Sequence, residues 1–168
     1  VRSDAMTHEA VVALRLEREE VLRLYRSLTP EEWEAASCCP GWRVQDVLAH
    51  LASLFHISPS FLLASVRGSP VESTNDVLVD RRRARPAVEV LAEYEKWSAR
   101  SLRMAAVGQR RPLAKIPMPL GDLGRHPLHR LADAFLFDHY THLRYDVVAP
   151  WGPIDRPPLP ADPLRLTP

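Results

Sequence analysis

The stretch Pro40-Gly41-Trp42-Arg43-Val44-Gln45-Asp46-Val47-Leu48-Ala49-His50-Leu51 decides how the rest of the chain is read. Cys39-Pro40-Gly41 breaks the backbone. A helix then begins, with apolar residues at Val44, Val47, Leu48, Leu51 and Phe55 and, further on, Leu62 and Leu63. Asp46 falls in its first turn, where a carboxylate suits the positive end of the helix dipole. Trp42 precedes it and is placed to pack on Val47 as a hydrophobic staple. The pattern predicts a helix over 43–66, with Pro59 as a kink or stop.

Working outward, residues 7–28 read as a first helix on Val11, Leu14, Val21, Leu24, Tyr25 and Leu28. Thr29-Pro30-Glu31-Glu32 is a helix start: a capping hydroxyl, a proline in the first turn, then acids. It opens a short turn carrying Trp33. Residues 86–107 form another helix, opened by Pro86, built on Val88, Leu91, Tyr94, Leu102 and Val107, and closed by Gly108. Residues 128–147 form the last, on Leu131, Ala134, Phe135, Phe137, Leu143 and Val147. Residues 67–85 are polar and irregular, and the run Arg81–Arg83 reads as a solvated loop or helix start. Residues 108–127, with four prolines and three glycines, read as a long ordered loop, a length often tied to function.

Four long amphipathic segments and no convincing strand make an all-α, four-helix bundle with long crossover loops. Two crossovers of about 20 residues permit neighbours along the chain to be apart in space. Seven prolines from Pro150 to Pro168 mark a proline-rich C-terminal tail. The expected division is a bundle over 1–150 and a tail or linker over 151–168.

The formal net charge of +1 lacks the basic excess of a nucleic-acid-binding protein. No apolar run reaches the length of a membrane span. Residues 11–28 are laced with Arg and Glu, unlike a secretory leader. Cys38 and Cys39 are adjacent, a geometry that disfavours a mutual disulfide. A reducing cytoplasm is the compartment expected, with both thiols inert.

Of seven histidines, two sit in informative places. His50 follows Asp46 by four residues, so Asp46 can hydrogen-bond one imidazole nitrogen and leave the other to a ligand. His142 follows Asp138 by four, and an acid and a histidine so spaced on one helix can share an ion. His50 would be a third ligand from a second helix, leaving positions open for water or substrate. Asp46, His139 and Asp146 are rival members of the same cluster. His126 and His129, with Gly121 to Gly124, are placed to line a pocket mouth. There is no nucleophile elbow, phosphate loop, dinucleotide fingerprint or paired-cysteine zinc motif.

The residues 40–51 resemble the entry to the second helix in the DinB-like superfamily, in the branch of the N-terminal metal-binding domain of mycothiol-dependent maleylpyruvate isomerase. Phe137-Asp138-His139-Tyr140-Thr141-His142-Leu143-Arg144-Tyr145-Asp146-Val147 resembles that branch's second signature. The resemblance covers roughly residues 7–150. It implies a divalent metal ion, usually zinc, held by His50, Asp138 and His142. It also implies a low-molecular-weight thiol, bound as thiolate, that attacks a small electrophilic substrate. A metal-dependent transferase or isomerase follows, with a hydrolase or a non-catalytic binding bundle as the alternatives and a homodimer as a compatible state. The family usually has Glu at the position of Asp138 and a small hydroxyl residue at that of Arg43. The isomerase continues into a second domain, and residues 159–168 look like the start of the linker to it.

Overall fold

In the computed structural model, residues 2–56 and 59–156 are described. The chain is mostly helical: α1 (Arg2–Arg26), α2 (Pro30–Glu34), α3 (Val44–Phe55), α4 (Pro59–Val66), α5 (Val71–Arg83), α6 (Ala87–Gly108) and α7 (Arg130–Thr141). A π-helical segment, His142–Val147, prolongs α7. The prolines beyond Arg156 on which the tail reading rests lie outside the described residues. No helix among the described residues is long and apolar enough to cross a membrane.

Helix α3 is the axis of the fold, and each of its twelve residues is buried. It packs on α6 on one side and α5 on another, while α1 packs on α7 and α6. Full burial obliges every polar side chain on α3 to find a partner. Gln45 Nε2 donates to the Arg85 carbonyl at 2.8 Å, and Ser53 Oγ donates to the His50 carbonyl at 2.7 Å. Asp46 accepts from the Arg43 backbone N–H at 3.0 Å and from its guanidinium at 3.1 Å. Of these groups, His50 Nδ1 has no partner among the described residues.

The other elements follow from local chemistry. Thr29 caps α2 reciprocally with Glu32, and Pro30 occupies its first turn, as the sequence predicts. Trp33 is thereby placed against Tyr25, ring centroids 5.1 Å apart. The break before α3 turns on Gly41, whose φ of 76° lies in the left-handed region. The predicted helix over 43–66 is two: α3 ends at Phe55 with His56 as its C-cap, and α4 starts at Pro59.

Several readings are corrected. The stretch 67–85 is not irregular, since α5 fills most of it. Its buried side is Leu78, Val79 and Arg82, and the arginine is accommodated by Glu93 at 2.6 Å. The run Arg81–Arg83 closes α5 in its last turn, where cations meet the negative end of the helix dipole. In α6 the buried stripe is Val90, Tyr94, Ser98 and Leu102, at intervals of four; Val88 and Val107 face outward. Residues 108–127 contain a short antiparallel ribbon, β1 (Pro117–Pro119) with β2 (Arg125–Pro127), Met118 opposite His126.

Glu17 of α1 is buried and accepts both terminal nitrogens of Arg144, which ties α1 to the π segment. After that segment Val148 bridges Ile154, and Ile154 packs into the main core.

Candidate metal centre

Three side chains predicted from spacing converge where α3 faces α7. His50 lies in the second turn of α3 and is 2% exposed. Asp138 lies near the end of α7, and its Oδ2 is 3.7 Å from His50 Nε2. His142 opens the π segment, its ring centroid 4.9 Å from that of His50. One donor atom from each of the three fits within a 4.8 Å cluster.

The separation of His50 and Asp138 is informative. At 3.7 Å it is too long for a hydrogen bond. Donors bound tetrahedrally to one zinc ion at about 2.0–2.1 Å stand roughly 3.3–3.5 Å apart. The separation is compatible with two ligands of a shared ion. The two imidazoles and one carboxylate are also a donor set that zinc accepts.

Protonation favours the same arrangement. Burial pushes the Asp138 carboxyl up, but His50, with His142 and His139, outweighs it and leaves the acid below its ordinary value. Burial, then the neighbouring His50, pushes His142 down against the opposing pull of Asp146 and Asp138. A carboxylate and a neutral imidazole are the forms that ligate.

The orienting carboxylate is not the one expected. Asp46 does not reach His50. It is held by Arg43, and Arg83 Nε from α5 lies 3.6 Å away. His50 Nδ1 is buried without a partner among the described residues, and Trp42 packs on the ring at 5.4 Å between centroids. Trp42 also stacks on His142, 6.3 Å between centroids, and its indole N–H reaches Asp76 of α5 at 3.3 Å. His142 is held by Asp146, whose Oδ2 is 2.8 Å from its Nδ1.

The rival residues separate into different roles. His139 is fully buried, its Nδ1 donating to the Phe135 carbonyl at 2.7 Å and its Nε2 facing the Tyr94 hydroxyl at 3.1 Å. Burial pushes it down to about 4, so it stays a neutral core residue with both nitrogens occupied. His56 stacks on Trp97 and pairs with Glu93. His126 and His129 bond to the carbonyls of Leu123 and Ala114 in the ribbon region.

Cys39 is the neighbour that spacing did not reveal. Its Sγ lies 3.7 Å from His142 Nδ1, and Cys39, His142 and Asp146 form a second group of donors within 4.8 Å. Burial and the Asp146 charge push this thiol up to about 12, so it is protonated in the neutral range. Cys38 is exposed, its Sγ 2.8 Å from the Trp151 carbonyl.

A family model described as the mycothiol maleylpyruvate isomerase N-terminal domain matches residues 14–137. The match takes in Trp42 and His50 and ends one residue before Asp138. No curated protein matches, and no solved structure matches.

Proposed function

The chain belongs to the mycothiol maleylpyruvate isomerase N-terminal domain family, and from that premise we propose that it binds a divalent metal ion, zinc first among the candidates, in a DinB-like four-helix bundle formed by α1, α3, α6 and α7. His50, Asp138 and His142 hold the ion. The observation that carries this reading is the convergence of their donor atoms within 4.8 Å from facing helices.

The activity proposed is that of a thiol-dependent transferase or isomerase. A bound zinc ion lowers the pKa of a coordinating thiol, which supplies a thiolate nucleophile at neutral pH. The chain contributes the rest. Asp146 fixes the tautomer of His142 by accepting a hydrogen bond from Nδ1–H, which leaves Nε2 as the ligating nitrogen. Trp42 covers both imidazoles and keeps water from their faces. His139 and Tyr94 brace α7 against α6 behind the centre. The thiol proposed is an external, low-molecular-weight one of the mycothiol kind, in line with the family. The partner is a small electrophile, handled in the cytoplasm. The metal-binding domain extends past residue 150, since Ile154 packs into its core.

Elemental analysis of the purified protein and of His50→Ala tests the assignment. The wild type is expected to carry about one equivalent of metal per chain and the variant to lose it. Metal content that survives the substitution would remove His50 from the site.

A further inference from the structure

His142 offers its two ring nitrogens to different neighbours. Its Nδ1 faces Asp146 Oδ2 at 2.8 Å and Cys39 Sγ at 3.7 Å. A thiol, an imidazole and a carboxylate thus place one donor atom each within 4.8 Å of one another. Tetrahedral nitrogen and sulfur ligands of one ion, at about 2.0–2.1 and 2.3 Å from it, stand roughly 3.6 Å apart. The Cys39–His142 separation is compatible with that spacing. The carboxylate needs to withdraw from the ring by about 0.5 Å to admit an ion.

The two pieces of chain that carry these donors are fastened to each other. The Cys38 backbone N–H donates to the Asp146 carbonyl at 3.0 Å, one residue from Cys39. The loop is closed on itself by Ser37 N–H on the Trp42 carbonyl and Trp42 N–H on the Cys39 carbonyl, both at 3.0 Å. The side chains of His142 and Asp146 are each 17% exposed, and Cys39 is partly buried, so an ion can enter from solvent and still be largely shielded. Cys38 stays outside the group, exposed, with its Sγ 2.8 Å from the Trp151 carbonyl. A sulfur in place of an imidazole makes this donor set softer than that of His50, Asp138 and His142, and soft donors select thiophilic ions.

We propose that Cys39, Asp146 and Nδ1 of His142 form a second site, for a thiophilic dication, and that filling it expels the ion from His50, Asp138 and His142. The site rests on its own donors; the expulsion rests on the metal-centre reading. The ring links the two. A neutral imidazole carries one proton and offers one lone pair. When Nδ1 binds the thiophilic ion, its proton passes to Nε2, and the Cys39 thiol gives its own proton to water. Nε2–H cannot ligate, so the first centre loses one of its three ligands. The chain then holds one ion or the other, and a thiophilic ion silences the centre by taking a shared ligand.

Cadmium(II) is the probe, titrated into the full reduced chain, zinc-free and zinc-loaded. Thiolate-to-cadmium absorption reads the new site, and a chromophoric indicator reads released zinc. The band is expected in both titrations, and in the loaded protein it should grow in step with zinc release. Cys38→Ser should keep the band; Cys39→Ser and Cys39→Ala, with unchanged helical circular dichroism, should lose it and retain zinc at cadmium concentrations that strip the wild type. His50→Ala should keep the band with no zinc to release. A wild type that binds no zinc would fail the metal centre, and the expulsion with it, while the band still decides the second site. The site is overturned if no band forms or if Cys38→Ser is the variant that removes it. The expulsion is overturned if both ions are held together, or if Cys39→Ser loses zinc as readily as the wild type.

Discussion

His142 Nδ1 and Asp146 Oδ2 lie 2.8 Å apart within one π-helical segment, so the carboxylate that orients the ring comes from the same element as the ring itself. A π turn inside or at the end of an α-helix is uncommon and is often found at functional sites. Removing the carboxylate frees the tautomer of His142. Asp146→Ala is therefore expected to weaken zinc binding by about 10–100-fold, with Asp146→Asn falling between it and the wild type. Competition with a chromophoric chelator measures this, and an unchanged helical circular dichroism spectrum separates it from unfolding. Affinity unaltered in Asp146→Ala would show that the pair serves packing alone.

The same histidine belongs to a second group with Cys39, and the two groups predict different ligand chemistry. A centre of His50, Asp138 and His142 contains no sulfur. With cobalt(II) in place of zinc, the protein is expected to lack thiolate-to-metal charge-transfer absorption, and Cys39→Ser to retain its metal. A charge-transfer band that vanishes in Cys39→Ser would move the ion to Cys39, His142 and Asp146.

Glu93 is the main pH-sensitive support away from the centre. Arg82, Arg85 and His56 all face it, at 2.6 Å for Arg82 and 2.9 Å for His56. Burial raises this carboxyl, but the two arginines and the histidine outweigh it and bring it from 4.5 to about 2. A depressed folded-state pKa means stability that is present above the unfolded value and lost as pH falls toward the folded one. The contribution, at most about 3 kcal/mol from the shift, is expected to disappear between pH 4.5 and about 2. Urea unfolding across that range should show a steeper acid loss in the wild type than in Glu93→Gln. Parallel curves would mean that the ion pairs add nothing net.

What was legible in the sequence was what one helix carries by itself. The Thr29–Glu32 cap and the Pro86 start of α6 are local, and they stand where the sequence puts them. The phase of a stripe was harder. Val88, Val90 and Leu91 crowd one turn of α6, and Leu136 and Phe137 adjoin in α7, so periodicity alone does not say which faces the core. Val90 and Leu136 do; Val88 and Phe137 are exposed. α5 was hidden because part of its buried face is an arginine, which reads as buried only once Glu93 of α6 is known to meet it.

The centre follows the same division. His50 and His142 were marked by their spacing, but the destination of Asp46 depends on Arg43 and on Arg83, which comes from α5. The approach of Cys39 to His142 joins residues 103 apart. Neither relationship leaves a periodic trace.

The buried pair Glu17–Arg144 gives the sharpest test of how α1 supports the centre. Glu17 is 2% exposed and takes both terminal nitrogens of Arg144, whose guanidinium also lies 4.6 Å from the Tyr140 ring centroid. Taking two charges out of water is expensive, so the pair itself adds little net stability, while an unmatched partner is severely destabilising. Glu17→Ala is expected to cost about 3–5 kcal/mol in chemical unfolding. The double variant Glu17→Leu with Arg144→Met should recover most of that loss. Arg144 lies two residues after His142, so Glu17→Ala should also weaken metal binding from α1, without touching a donor. Recovery of stability in the double variant without recovery of metal affinity would show that the pair sets the geometry of the π segment. Additive losses in both measurements would instead make the two residues independent.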